Sequence, residues 1–129
     1  MKKMFLTLCT ILFALSVHAQ SGTVIFANRV VGTLVEPVYD ADAHTLLTGS
    51  GWTAQLWGAL GAGASESSLI GIPSANGGTS TFRTGAAAGY WAFTTATLGA
   101  AGIPEDAASA TFQVRVFPTA YGSWSAALF

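Results

Sequence analysis

The sequence predicts an all-β fold, a two-sheet antiparallel β-sandwich of Ig-like character, with a jelly roll as the competing architecture. Two stretches carry that expectation. Trp52–Leu60 (WTAQLWGAL) and Ala110–Phe117 (ATFQVRVF) alternate with period two, the mark of a half-buried strand. In the second, Phe112, Val114 and Val116 share one face and Gln113, Arg115 and Phe117 the other. In the first, Trp52, Ala54, Leu56 and Leu60 lie opposite Gln55 and Trp57. Two strands with one greasy and one polar-aromatic face are expected to sit side by side at the centre of an antiparallel sheet, with Arg115 across the Trp57 indole. A third observation is an absence. Beyond the N-terminal residues, no window longer than about ten residues repeats its apolar positions every 3.6 residues.

The remaining elements follow in order. Thr23–Val31 (TVIFANRVV), β-branched and aromatic, predicts the first strand. Leu34–Tyr39 predicts a second, with Pro37 ending regular pairing or marking an edge. Asp40–His44 reads as a turn, His44–Thr48 as a short returning strand, and Gly49-Ser50-Gly51 as a break. Ala59–Ser68 is small-residue rich and expected to be flexible. Leu69–Ile72 is a brief apolar run stopped by Pro73, and Asn76-Gly77-Gly78 is a turn signal. Thr79–Thr84 and Tyr90–Thr97 predict strands around the Gly85–Gly89 linker. Ala100–Ala108 reads as a loop, Thr119–Ser123 as a turn, and the last residues to Phe129 as a short strand. The lack of a Cys…Trp…Cys spacing gives no kinship with true immunoglobulin domains.

Residues 1–19 are expected to be a signal peptide. Lys2 and Lys3 precede an apolar run, Met4–Val17, and Val17-His18-Ala19 places small residues where a signal peptidase reads. The run is shorter than the roughly 20 residues a membrane span needs, so no stable span is expected after cleavage. The remainder, 20–129, is one domain's length of a secreted, extracellular or cell-surface protein. Its only cations are Arg29, Arg83 and Arg115, against Glu36, Asp40, Asp42, Glu66, Glu105 and Asp106. Three scattered arginines make a poor nucleic-acid binder, because phosphate neutralisation needs a clustered basic face. The sole cysteine, Cys9, lies in the leader, which excludes disulfides and thiol chemistry from the rest.

Candidate chemistry is sparse. Asp40, Asp42 and His44 alternate, and in extended backbone they would share one side. A Ca²⁺ site on Asp40 and Asp42 with backbone carbonyls is one reading; the other is that the aspartates cap a turn. An EF-hand is excluded by Thr45 and Gly51 where that loop needs Gly and Glu. No other cofactor is implied. Gly49-Ser50-Gly51 lacks the spacing of a nucleophile elbow, and no residue marks itself as partner to His44, so the protein is expected not to be an enzyme. Trp52, Trp57, Trp91 and Trp124, with Tyr39, Tyr90 and Tyr121, are many for such a chain. Trp52 and one of Tyr90 and Trp91 are expected in the core. Trp57 and Arg115, on the polar face, are the candidate ligand-binding pair.

Phe26–Val30 (FANRV), Tyr39–Asp42 (YDAD), Ala54–Trp57 (AQLW), Phe82–Trp91 (FRTG…GYW) and Phe112–Phe117 (FQVRVF) together resemble the secreted β-sandwich proteins that bacteria carry with PEP-CTERM sorting tails. The resemblance spans nearly all of 20–129 and rests on structural motifs. It implies export and association with the outer surface or an exopolysaccharide matrix, as a non-enzymatic structural protein with polysaccharide or surface proteins as partners. The alternative function is a carbohydrate-binding module with an aromatic sugar-stacking face. The sorting tail itself is not in the sequence, and SAALF at its end reads as the start of a strand. The expectation is therefore a domain truncated at its C-terminus, whose open edge invites self-association.

Overall fold

The computed structural model describes residues 20–128. The leader expected at 1–19 lies outside them, as does Phe129. The fold is mostly β, in several antiparallel sheets with almost no helix. Its centre is β4, Trp52–Leu60, and the strands before it are β1 (Thr23–Phe26), β2 (Arg29–Val30) and β3 (Leu34–Val35). After it come β5 (Ile70–Gly71), β6 (Thr79–Thr81), β7 (Thr94–Thr97) and β8 (Ala110–Pro118).

β8 pairs with β4 antiparallel along its whole length, from Trp52 opposite Pro118 to Leu60 opposite Ala110. On the other flank of β4, β6 pairs with Thr53–Gln55 and β5 with Trp57 and Gly58. Leu56 N–H donates to the Gly78 carbonyl and Leu56 C=O accepts from Ile72 N–H, each at 2.8 Å. In an antiparallel strand both backbone groups of a residue point the same way. The even-numbered residues of β4 therefore serve β5 and β6, and the odd-numbered ones serve β8. β1 pairs with β7, and β2 with β3.

The two long strands and their pairing are as the alternation predicts, because period two is unambiguous over nine residues. One core cluster unites the sheets: Ala54, Leu56 and Ile72 from the central sheet, Phe26 and Ala96 from β1 and β7, and Leu98 and Ile103 from the loop after β7. Trp91 is buried with them, while Trp52 is half-buried against the cluster.

Several expectations are corrected. Thr23–Val31 is not one strand. It breaks at Ala27 and Asn28, where the Asn28 side chain turns inward and is only 4% exposed. The strand expected at His44–Thr48 is a single bridge, Leu46 to Tyr39. Ala59–Ser68 is held in place: Thr111 Oγ1 donates to the Gly61 carbonyl and accepts from Ala64 N–H, and a 3-10 turn forms at Glu66–Ser68. Leu60 is exposed, and Phe117, read onto the polar face, is buried. The greasy face of β8 is only partly covered, with Phe112 and Val114 at 42% and 43% exposure.

The chain's last described residues are not a strand. Trp124–Ala127 form a short helix, α1, and the Ser123 hydroxyl accepts from Ala126 N–H at 3.1 Å as its N-cap. Gly122 (φ 72°) supplies the left-handed residue that turns the chain into it. A serine cap followed by two alanines outweighs the apolar character that reads as a strand.

Candidate binding face

The cross-strand pairs Thr53–Phe117, Gln55–Arg115 and Trp57–Gln113 build the outer face of the central sheet. Arg115 and Trp57 are diagonal neighbours, within reach of long side chains. The Arg115 guanidinium lies 3.9 Å from the Trp57 ring centroid and 5.6 Å from that of Trp124, which α1 brings over β8. Its Nε donates to Gln113 Oε1 at 2.7 Å, and Nη2 stands 3.6 Å from Glu66 Oε1. Trp57 Nε1 donates to Gln55 Oε1 at 3.2 Å, and Gln55 Nε2 donates to the Ile72 carbonyl at 3.2 Å. The Arg115 side chain is 10% exposed although it sits on an outer face.

Trp57 is backed from the opposite flank as well. Gly71 is its cross-strand partner, and a Cβ on Gly71 would meet the indole at 3.1 Å. A glycine there lets the ring lie down against β5. With Gly71 on one side and Arg115 on the other, Trp57 is held in place and does not stand free as a stacking platform.

Beside this stack lies a groove of about 360 Å³. Thr53, Gln55, Ser74, Thr79, Thr119 and Ser123 supply hydroxyl and amide groups to it, and Phe117 contributes an apolar wall. Thr53 and Thr119 hydroxyls bond each other at 2.8 Å across its end. The lining carries no charged side chain. Such a lining can exchange hydrogen bonds with a polyhydroxylated ligand without transferring a proton.

The structure brings Trp57 and Arg115 together as the sequence predicts, and it leaves Asp40 and Asp42 elsewhere. The alternation of Asp40, Asp42 and His44 is not extended: Ala43 has φ 59°, and the segment is a tight turn. Asp42 Oδ1 accepts from the backbone N–H groups of His44 (2.9 Å) and Thr45 (2.8 Å), and its Oδ2 accepts from the Thr45 hydroxyl. Asp40 Oδ1 accepts from Ala41 N–H at 2.7 Å. Hydrogen bonds from the Thr45 hydroxyl first, then from the Thr45 and His44 amides, hold the Asp42 carboxyl below its ordinary value. Among the described residues no three His, Cys, Asp or Glu side chains gather as a metal-binding group.

The polar residue buried in the core, Asn28, is one that pattern reading passes over. Asn28 Nδ2 donates to the carbonyls of Glu36 (2.8 Å) and Gly89 (2.9 Å), and its Oδ1 accepts from Trp91 N–H at 3.1 Å. Trp91 Nε1 donates to the Phe26 carbonyl at 3.3 Å, and the two rings lie 4.9 Å apart. The Arg29 guanidinium stands 5.2 Å from the Tyr90 ring centroid. The FANRV and GYW motifs are thus two halves of one tie around the buried Asn28. A lone Asn inside a β-branched, aromatic run was the available signal, because a buried amide must find partners.

No helix among the described residues is long and apolar enough to cross a membrane. No family model, no curated protein and no solved structure matches this chain.

Proposed function

We propose that this chain is a secreted, non-enzymatic structural protein of the cell surface or extracellular polysaccharide matrix, similar to the exported proteins that carry PEP-CTERM tails. On this reading the antiparallel sheets form a two-sheet sandwich of Ig-like character, with the β1–β7 pair set against the central sheet. The observation that carries the proposal is the outer face of β4 and β8. Its one cation is engaged by Trp57, Gln113 and Glu66, and the neighbouring groove presents hydroxyl and amide groups without charge. A surface of that chemistry suits neutral polysaccharide, which offers hydroxyl groups in place of charges. The test is to express the full chain with a C-terminal tag and fractionate the culture. Recovery in the matrix or surface fraction, with an N-terminus at Gln20, supports the proposal. Retention in the cytoplasm, or Met1 on the exported product, overturns it.

The groove also supports a second reading, a carbohydrate-binding module. The sugar would lie among Thr53, Gln55, Ser74 and Thr79 and not on Trp57, whose faces are taken. Affinity electrophoresis against a panel of polysaccharides separates the two. Specific retardation that Gln55→Ala abolishes identifies the module, and unretarded migration in every gel rejects it.

A further inference from the structure

β8 is nine residues long, pairs one-to-one with β4 without a bulge, and has no strand on its other side among the described residues. The odd-numbered residues of β4 bond β8, so their partners Thr111, Gln113, Arg115 and Phe117 spend their backbone groups on β4. The N–H and C=O of Phe112, Val114 and Val116 therefore point away from β4, along an open edge. These residues also carry the half-covered greasy face, where Phe112 and Val114 are each more than two-fifths exposed. Natural edges of this length are usually blunted by lysine, proline, a bulge or an inward charge. Before Pro118, at its far end, β8 carries no lysine, bulge or inward charge; its one charge, Arg115, is on the outer face beside Trp124 of α1, which packs against β8.

From this geometry we infer that β8 pairs with β8 of a second copy of the chain, antiparallel, about a two-fold axis at Val114. The strand is self-complementary in that register. The axis at its middle residue sets Val114 opposite its own mate, Phe112 opposite the partner's Val116, and Ala110 opposite the partner's Pro118, so the overlap spans the strand with only the proline N–H missing at each end. On the outer face it sets Gln113 opposite the partner's Arg115, an amide oxygen facing a guanidinium. Moving the axis to Arg115 would place like charges face to face, and moving it to Gln113 would shorten the overlap. An isologous contact of this kind closes after two copies and does not grow into a fibre. The inference stands on the β8 edge and is independent of the matrix reading.

The chain from Gln20 onward contains every element of the described core and has no cysteine, so one introduced thiol is a clean reporter. At the axis a hydrogen-bonded pair has Cα atoms about 5.5 Å apart, inside disulfide reach. Val114→Cys is expected to form a covalent dimer under mild oxidation. Phe112→Cys and Val116→Cys are each expected to form no covalent dimer alone and to cross-link when mixed. In light scattering the unaltered chain is expected to be a dimer, and Val114→Lys to weaken it at least about tenfold, since two unpaired cations would meet on the axis. Circular dichroism of Val114→Lys distinguishes lost pairing from lost fold, and the cross-linking pattern does not depend on that variant. A monomer across the accessible concentration range, or equal self-linking at all three positions, overturns the inference.

Discussion

Two clusters in this molecule pair a tryptophan with a polar residue, and they do opposite work. Around Trp91, the Asn28 amide uses both donors and its acceptor on backbone groups, in a site closed to solvent and walled by Phe26 and Phe82. Around Trp57, Arg115 lies between two indoles at the surface, with an exposed glutamate at 3.6 Å. The inner polar group replaces water that cannot enter, so removing it strands its partners. The outer one is itself only 10% exposed, but its partners Gln113 and Glu66 reach water, so its loss is largely repaired by solvent. Similar side chains thus give a fold determinant in one place and a surface trim in the other.

The sharpest way to break that contrast is at the inner cluster. Trp91→Ala is expected to cost about 3–5 kcal/mol, the range for deleting a buried aromatic, read as a fall in the denaturant midpoint. Asn28→Ala should follow at about 2 kcal/mol, since it strips the buried Trp91 amide of its acceptor and the Glu36 and Gly89 carbonyls of one donor each, the latter keeping Val38 N–H. If Asn28→Ala changes the midpoint no more than a surface substitution does, the inner cluster is not a determinant. At the outer cluster, a double-mutant cycle of Arg115→Met with Trp57→Leu should return a coupling of about 1 kcal/mol. A coupling as large as the Asn28 effect would erase the distinction. Smallest of all, Glu66→Gln should shift stability by less than about 0.5 kcal/mol, because the Glu66 carboxylate is exposed and screened.

The Asp42 turn adds a pH axis to the same contrast. Its carboxyl holds a proton less tightly in the folded turn than in the unfolded chain. That contribution is present in full above the ordinary carboxylate range and is lost as pH falls through the depressed value. Asp42→Asn should flatten the acid limb by lowering the neutral plateau slightly, the two profiles converging at low pH. An acid limb that Asp42→Asn leaves intact would assign it to other carboxylates.

What could be read in the sequence was what two-residue alternation encodes. It gave β4 and β8, their adjacency, their faces, and the meeting of Arg115 with Trp57. It did not give what covers a face, because parity orders side chains without naming their neighbours. Phe112 and Val114 share a face with Val116 yet lie open beside it. Asn28 was hidden for a different reason. Its partners Gly89 and Trp91 are 61 and 63 residues away, and no local pattern carries a contact over that distance. At the end of the chain, the apolar residues of SAALF concealed a helix that the Ser123 cap announces.

The Asn28 tie has a consequence for the order in which the molecule assembles. Trp91 N–H lies outside the extended strands, yet its acceptor is a side chain fixed by the opposite end of the chain. It can be protected from hydrogen exchange only when β1, the Glu36 segment and the Gly89 loop are all docked. Its exchange rate should therefore match that of the β4 amides and not those of the neighbouring turn. Closing a loop of some sixty residues has to precede that protection, which makes the tie a late event in folding and the Trp91 amide a reporter of complete assembly.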